Sequence, residues 1–378
     1  MGHINYNRTY IERFCCNIAI MQSHFLLKIL SFIKCITFFL LLLLTSNSVV
    51  FAQNPGIELK NFFVDDKLIE VTLVSDFKKL IREKLKKDFA GNYQPATITL
   101  IFPDSAKLTE KIEIRSRGKF RREKCNMPPV MLNFKPSNTV TLSKLGTLKL
   151  VWPCGTAPYD EQLVLKEYLI YKIYNLLTEK SFRVRLVKVG YRDINERMKP
   201  YTSYAYIMED MHALARRNNC VEIQPGRIRS EQTNRDQTTL MTLFEYMIGN
   251  ADWVIPISRN VKLIRSKTDS LSAPYAVPYD FDYSGLVNAR YAIPPPELPI
   301  ASVRERFYLG FPRTMEELQA TLNIFRRQRA SLDSLILNFE PLEAFNKKDM
   351  IKYISDFFEM TEKEKDIKER FINNARRE

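Results

Sequence analysis

Histidine is scarce in this chain: three residues in 378. Two of them, His3 and His24, fall within the first fifty-odd positions, so only His212 stands in the remainder. That excludes a clustered His-ligand zinc site there. It also forces any Ser-His-Asp or Cys-His arrangement through one residue. His212 lies in the helical stretch EDMHALARR, where a surface position is the commoner use. No G-x-S-x-G nucleophile elbow occurs. There is no βαβ alternation and no glycine-rich dinucleotide fingerprint. Beyond the first fifty-odd residues the cysteines number three, Cys125, Cys154 and Cys220, too scattered to argue for a metal site. In an oxidising compartment two of them pair. Cys125 and Cys154 each end or begin a strand-like run and are the expected pair, with Cys220 left free.

What is present begins with an export signal. Lys28 and Lys34 precede the apolar run Cys35–Leu44, and Val50-Phe51-Ala52 places compact residues before Gln53. This is the order of a secretory leader, read as residues 1–52, with Met21 as an alternative start. The other reading, an uncleaved anchor, falls short of the roughly 20 apolar residues a bilayer span needs. The protein is therefore expected to be exported, periplasmic or extracellular, without a stable membrane span once the leader is removed. The chain carries a formal charge of +14, and it stays basic without the leader. A basic balance favours acidic partners such as nucleotide phosphates, anionic glycans or membrane surfaces. Nucleic acid is not expected, since no motif interleaves aromatic and basic residues.

Along the chain, strand patterns dominate first. Phe77–Phe89 is an amphipathic helix, followed by ATITLIF, KIEIRSRG, PPVMLNFK and GTLKLVWPC, which predict an antiparallel sheet of four or five strands. Tyr159–Lys180 is the clearest helix, with Leu165, Leu169, Ile173 and Leu176 at helical spacing. Two further strands, FRVRLVKVGYRD and YTSYAYIME, flank a polar loop. From Asp210 helices take over. Thr238–Ile248 ends at Gly249-Asn250, a C-cap pair. Thr314 and Glu317 open a later helix as a capping box. The stretch 286–313 reads as a long proline-rich loop, and a charged helix follows Asn346. The expected class is α+β, with a β-rich part over 53–207, a mainly helical part over 208–345 and a charged tail over 346–378.

The stretch Leu240–Gly285 carries the chemistry. Its order is helix, loop with Asp252, then Asn260, strand, hairpin, strand and PYDFDYSG. A hairpin returns the end of its second strand to the start of its first. Asn260 and Asp280 are therefore expected neighbours, with Asp252 and Asp282 close by. Such a set of carboxylates and an amide suits a hard divalent cation, and a carboxylate that orients a hydroxyl in phosphoryl transfer. The alternative use of Asp280 and Asp282 is to cap the turn before Tyr283-Ser284-Gly285.

This arrangement resembles the atypical kinases of the CotH family and, more distantly, HipA-type and lipid kinases. The resemblance extends over about residues 95–290 and includes IEIRSRGKFRREK, similar to the R-x-RG element of CotH proteins. It implies a two-lobed kinase-like fold, with a β-rich N-terminal lobe and a mainly helical C-terminal lobe. Asp252 would be the catalytic-loop aspartate. Asp280 would be the principal metal ligand, Asn260 a second ligand and Asp282 an accessory carboxylate. Lys135 or Lys149 would meet the phosphates of ATP or another nucleotide bound with Mg2+ or Mn2+, with Glu167 as that lysine's ion-pair partner. Arg115, Arg117 and Arg121 would supply charge where a G-x-G-x-x-G loop is missing, and Glu209 would lie near the adenine edge. Seven residues separate Asp252 from Asn260, against four in the usual motif. The implied activity is phosphorylation of an envelope protein or glycan hydroxyl. The alternative is an inactive kinase-like binding or structural protein of the envelope that recognises an anionic glycan or a protein partner.

Overall fold

The structure is a computed structural model that describes residues 62–84, 92–118, 120–138, 140–224, 226 and 228–376. The leader expected over 1–52 lies outside the described residues. Among the described residues, no helix is long and apolar enough to cross a membrane.

Seven strands form a closed barrel: β1 (Ile69–Ser75), β2 (Gln94–Ile101), β3 (Lys107–Ser116), β4 (Val130–Asn133), β5 (Thr147–Val151), β6 (Val184–Asp193) and β7 (Tyr201–Met208). Their order around the barrel is β1-β2-β3-β4-β5-β7-β6. Alternation drives this: β1 buries Ile69, Val71, Leu73 and Ser75, and β2 buries every second residue from Gln94 to Leu100. The inward side chains, including Leu73, Ile98, Ile114, Leu132 and Val189, fill the interior as one cluster. Closure depends on one parallel pair, β1 with β6, running from Ile69 opposite Val187 to Ser75 opposite Asp193. Asp193 secures that end by accepting from the backbone N–H of Phe77 at 2.9 Å, the first residue of helix α1 (Phe77–Glu83).

The two-lobed kinase-like fold expected from the resemblance is not what the chain adopts, although the α+β class stands. The strands close into a barrel, and the helices pack around it. The long helix α4 (Pro158–Leu177) lies between the barrel's outer wall and the other helices. Its Leu165, Leu169 and Ile173 share one buried cluster with Val184, Leu186 and Tyr206 of the barrel wall. The same cluster continues into helices α6 (Arg235–Ile248), α7 (Met315–Leu337) and α8 (Ala344–Met360). An apolar core that runs without a break from barrel wall to outer helices leaves no cleft of the kind that separates two lobes.

Shorter elements complete the fold. Helix α2 (Phe120–Lys124) follows β3, α3 (Val140–Ser143) precedes β5, and α5 (Met211–Arg217) follows β7. A three-stranded sheet, order β10-β9-β8, comprises β8 (Cys220–Ile223), β9 (Val261–Ser266) and β10 (Tyr275–Pro278). The charged tail breaks into α8 and a short α9 (Glu364–Lys368) instead of running as one helix. Two local readings hold. Helix α6 ends at Gly249 with φ +69°, a left-handed cap. Thr314 and Glu317 form a reciprocal capping box, with bonds of 2.8 and 3.2 Å. Cys125 and Cys154 are joined by a disulfide, and Cys220 is free and buried.

Candidate functional site

A cavity of about 420 Å³ opens outside the barrel, between its outer wall and two loops. Strand alternation builds the wall. Leu148 and Leu150 of β5 point into the barrel, so Lys149 and Val151 point out. Lys149 is opposite Met208 on β7 and Val151 is opposite Tyr206, and all four line the cavity. Arg117, just past β3, and Arg121 of α2 add two guanidinium groups to the same lining.

The facing loops carry the acids. Asp252 follows the cap of α6. Its backbone N–H donates to Asn250 Oδ1 at 3.1 Å, and its carboxylate accepts from Asn260 Nδ2 at 3.1 Å. Asn260 Nδ2 also reaches the Asp252 carbonyl at 2.7 Å. The hairpin of β9 and β10 returns Tyr279 beside Asn260, with Tyr279 N–H donating to Asn260 O at 2.9 Å. This places Asp280 in the cavity next to Asn260, as the hairpin argument requires. Asn260 and Asp280 both hold left-handed backbone, φ +52° and +66°. Asparagine and aspartate tolerate that region better than other non-glycine residues, and a paired occurrence marks a site held by its surroundings. The Asp280 N–H donates to Tyr171 Oη at 2.9 Å.

Asp282 sits deeper, 7 % exposed, and accepts from Tyr291 Oη at 3.0 Å. Glu167 of α4 is 2 % exposed, and Arg121 approaches it to 3.9 Å. Burial pushes both carboxyls up. For Asp282 the charge of Asp280 adds to the effect, and for Glu167 those of Asp282 and Asp280 do, with Arg121 opposing in each case. Burial also lowers Arg121's affinity for its proton, but Tyr291, Asp282 and Glu167 outweigh it and hold the guanidinium firmly charged. Lys149 is pushed down to about 7, chiefly by burial and then by Arg117, with Asp280 opposing. Its ammonium lies 4.7 Å from the centre of the Tyr279 ring. Asp252 is raised by burial, with Arg259 pulling it back.

Of the residues singled out in the sequence, Arg117, Arg121, Lys149, Asp252, Asn260, Asp280 and Asp282 meet in this cavity. Glu167 lies immediately behind it, beside Arg121, Asp282 and Tyr291. The expected lysine partner of Glu167 is replaced by Arg121. Three other residues are elsewhere. Lys135 is exposed past the end of β4. Arg115 shares the outward face of its strand with the cavity wall, in line with Met131 and Lys149, but packs over the Tyr93 ring at 5.0 Å, two strands away from Lys149. Glu209 is buried against Arg217 at 3.0 Å and accepts from the Arg183 N–H at 3.1 Å, so its carboxylate closes a structural pair. Sequence reading missed Tyr171, Tyr206, Tyr279 and Arg259. The tyrosine stripe on α4 reads as packing, yet a phenol in a helix stripe that is otherwise apolar requires a polar partner. For Tyr171 that partner is the Asp280 backbone.

The donors present fit a hard divalent cation in part. Among the described residues, no three Asp, Glu, His or Cys side chains are gathered as a ready-made metal cluster. Magnesium does not demand one, since it is commonly held by one or two carboxylates together with substrate phosphates. Asp280, whose carboxylate has no hydrogen bond or ion pair among the described residues, and the amide oxygen of Asn260 are oxygen donors of the right kind.

No family model matches the chain, and no curated protein matches it. Among solved structures, the crystal structure of the Helicobacter pylori proinflammatory kinase CtkA is similar with a TM-score of 0.31 and 12% identity, covering 76% of this chain and 92% of that one. A likeness of that size carries no argument about this chain's fold or activity.

Proposed function

We propose that the cavity binds a nucleoside triphosphate with Mg2+ or Mn2+ and transfers a phosphoryl group to a hydroxyl acceptor. The observation that carries this reading is the facing of two sets of side chains across one cavity: Lys149 and Arg117 on the barrel wall, Asp252, Asn260 and Asp280 on the loops. The order of those residues along the chain, which resembles that of CotH proteins, supports the same chemistry without the two-lobed scaffold.

On this reading Lys149 and Arg117 neutralise phosphate charge, and a bound phosphate draws the Lys149 proton on. Asp280 and Asn260 hold the cation, whose contribution is to offset charge on the phosphates. Asp282, buried and tied to Tyr291, supports Asp280 from behind. Asp252 accepts the hydroxyl proton of the acceptor and aims its oxygen, while Asn260 fixes the carboxylate's orientation. The acceptor is a hydroxyl of an envelope protein or glycan, met after export.

Thermal-shift titration of the protein with ATP and Mg2+ or Mn2+ tests this. A ligand that binds only the folded state at about 100 times its Kd adds about 2.7 kcal/mol of stability. The wild type should shift upward and Asp280→Ala should not. Equal shifts in both proteins would remove Asp280 from the site, and no shift in either would remove the nucleotide. The bond from Asn260 to Asp252 favours one second reading, in which the amide is fully committed to the carboxylate and the cavity binds an anion without transferring anything. Release of ADP in the presence of an acceptor separates the two.

A further inference from the structure

Helix α6 is apolar on its inward faces, where Met241, Phe244, Met247 and Ile248 are all fully buried. One acid interrupts this surface. Glu245 is 1 % exposed, and neither carboxylate oxygen has a hydrogen-bond partner of good geometry among the described residues. An apolar residue of similar size would fill that volume without the cost of burying two polar oxygens, so the carboxyl calls for a purpose.

The neighbouring polar group supplies one. Asn250, 2 % exposed, closes the end of α6 by donating its backbone N–H to the Glu245 carbonyl at 2.8 Å. That turn lays the Asn250 side chain beside the Glu245 side chain. Its Nδ2 is also buried without a well-formed partner, while its Oδ1 accepts from the Asp252 N–H. We infer that Glu245 is a positioning residue for the Asp252 loop, its carboxyl holding the Asn250 amide so that Asn250 Oδ1 holds the backbone of Asp252. The inference rests on the role proposed for Asp252.

Two facts fit this order. An unpaired charge cannot stay in such a place, and burial, opposed by the Asn250 amide and reinforced by Asp252, raises the Glu245 pKa well above the usual carboxylate range. A neutral carboxyl then offers Asn250 Nδ2 a carbonyl acceptor, which sets which way round the amide sits. Asn260 secures Asp252 from the opposite side. The carboxylate is thus fixed between two amides, one of which depends on Glu245.

The test uses Glu245→Gln and Glu245→Leu in the full chain, with hydrogen exchange across residues 249–254 read by mass spectrometry. Glutamine retains a carbonyl acceptor and should exchange like the wild type. Leucine should leave the melting temperature unchanged or higher, yet exchange in 249–254 should run about five- to tenfold faster, the size of one lost hydrogen bond. A Glu245→Leu protein of normal stability with unchanged exchange overturns the inference, as does a Glu245→Gln protein that exchanges as fast as Glu245→Leu. If Glu245→Leu does not fold, Asn250→Ala must give the faster exchange with Glu245 intact, and its failure to do so overturns the inference equally. Exchange needs no nucleotide, so this result and that of the nucleotide titration can fail separately.

Discussion

Lys149→Met should stabilise the protein while abolishing its response to nucleotide. Lys149 is pushed from 10.5 down to about 7 in the folded state, first by burial. At about 1.4 kcal/mol per pH unit, full burial would set the cost of its charge near 5 kcal/mol. The side chain is only half-buried, because it faces the open cavity, and solvent there screens the charge. Discounting for that leaves about 2 kcal/mol. The sign follows from linkage. Below pH 7 lysine is charged in both states, and the cost is present in full. Between pH 7 and 10.5 the folded state sheds its proton while the unfolded chain keeps it, so stability rises with pH. Methionine carries no charge at any pH and has nearly the same length. Urea denaturation at pH 6 should therefore find Lys149→Met about 2 kcal/mol more stable than wild type, and the gap should fall below about 1 kcal/mol by pH 10, where much of the unfolded lysine is still charged. A gap that is the same at both values, or a variant less stable at pH 6, would refute the assignment of Lys149 as a charge held against its solvation. The variant should also lose the upward thermal shift with ATP and Mn2+. A retained shift would mean that the phosphates meet another cation.

Lys135→Ala should leave both the melting temperature and the nucleotide shift unchanged, because the side chain is exposed away from the cavity; a lost shift in the same titration would reopen its claim. Replacing Cys125 and Cys154 with serine opens a loop with a sequence separation of 29 and should cost about 3.6 kcal/mol by the chain-entropy relation, read by denaturation of the oxidised and mutant proteins. Gly285→Ala should destabilise by about 2 kcal/mol or more, since its Cβ would sit 2.4 Å from the Val303 carbonyl oxygen and 2.5 Å from Tyr353 Oη; calorimetry showing no loss would contradict that packing.

Much of the site was legible because it is local. Asn260 and Asp280 stand at the two ends of a hairpin, and antiparallel pairing brings such ends together whatever surrounds them. Asp252 lies close before Asn260, past a helix whose Gly-Asn end is plain in the sequence. The basic wall was less legible. Lys135 and Lys149 occupy equivalent-looking strand patterns, and alternation alone cannot say which face of a strand turns toward a loop more than a hundred residues further on. The register of β5 on β7 decides it by setting Lys149 beside Met208. Glu209 and Arg115 failed for a related reason. Each lies near a strand end where a nearby partner, the Tyr93 ring for Arg115 and the Arg217 guanidinium for Glu209, holds the side chain away from the cavity.

The sequence by itself determined most of the strands and the long helices, the capped ends at Gly249 and Thr314, the pairing of Cys125 with Cys154 and the meeting of Asn260 with Asp280. Each of these follows from side-chain period, local backbone preference or short-range pairing. Only the tertiary structure decided that β1 closes on β6 to make a barrel, that the helices pack on its wall as one continuous core, and that Arg121 stands opposite Glu167. Alternation states which side of a strand is buried but names no partner. The choice among distant partners is made by the combined burial of the whole chain, which no single segment encodes.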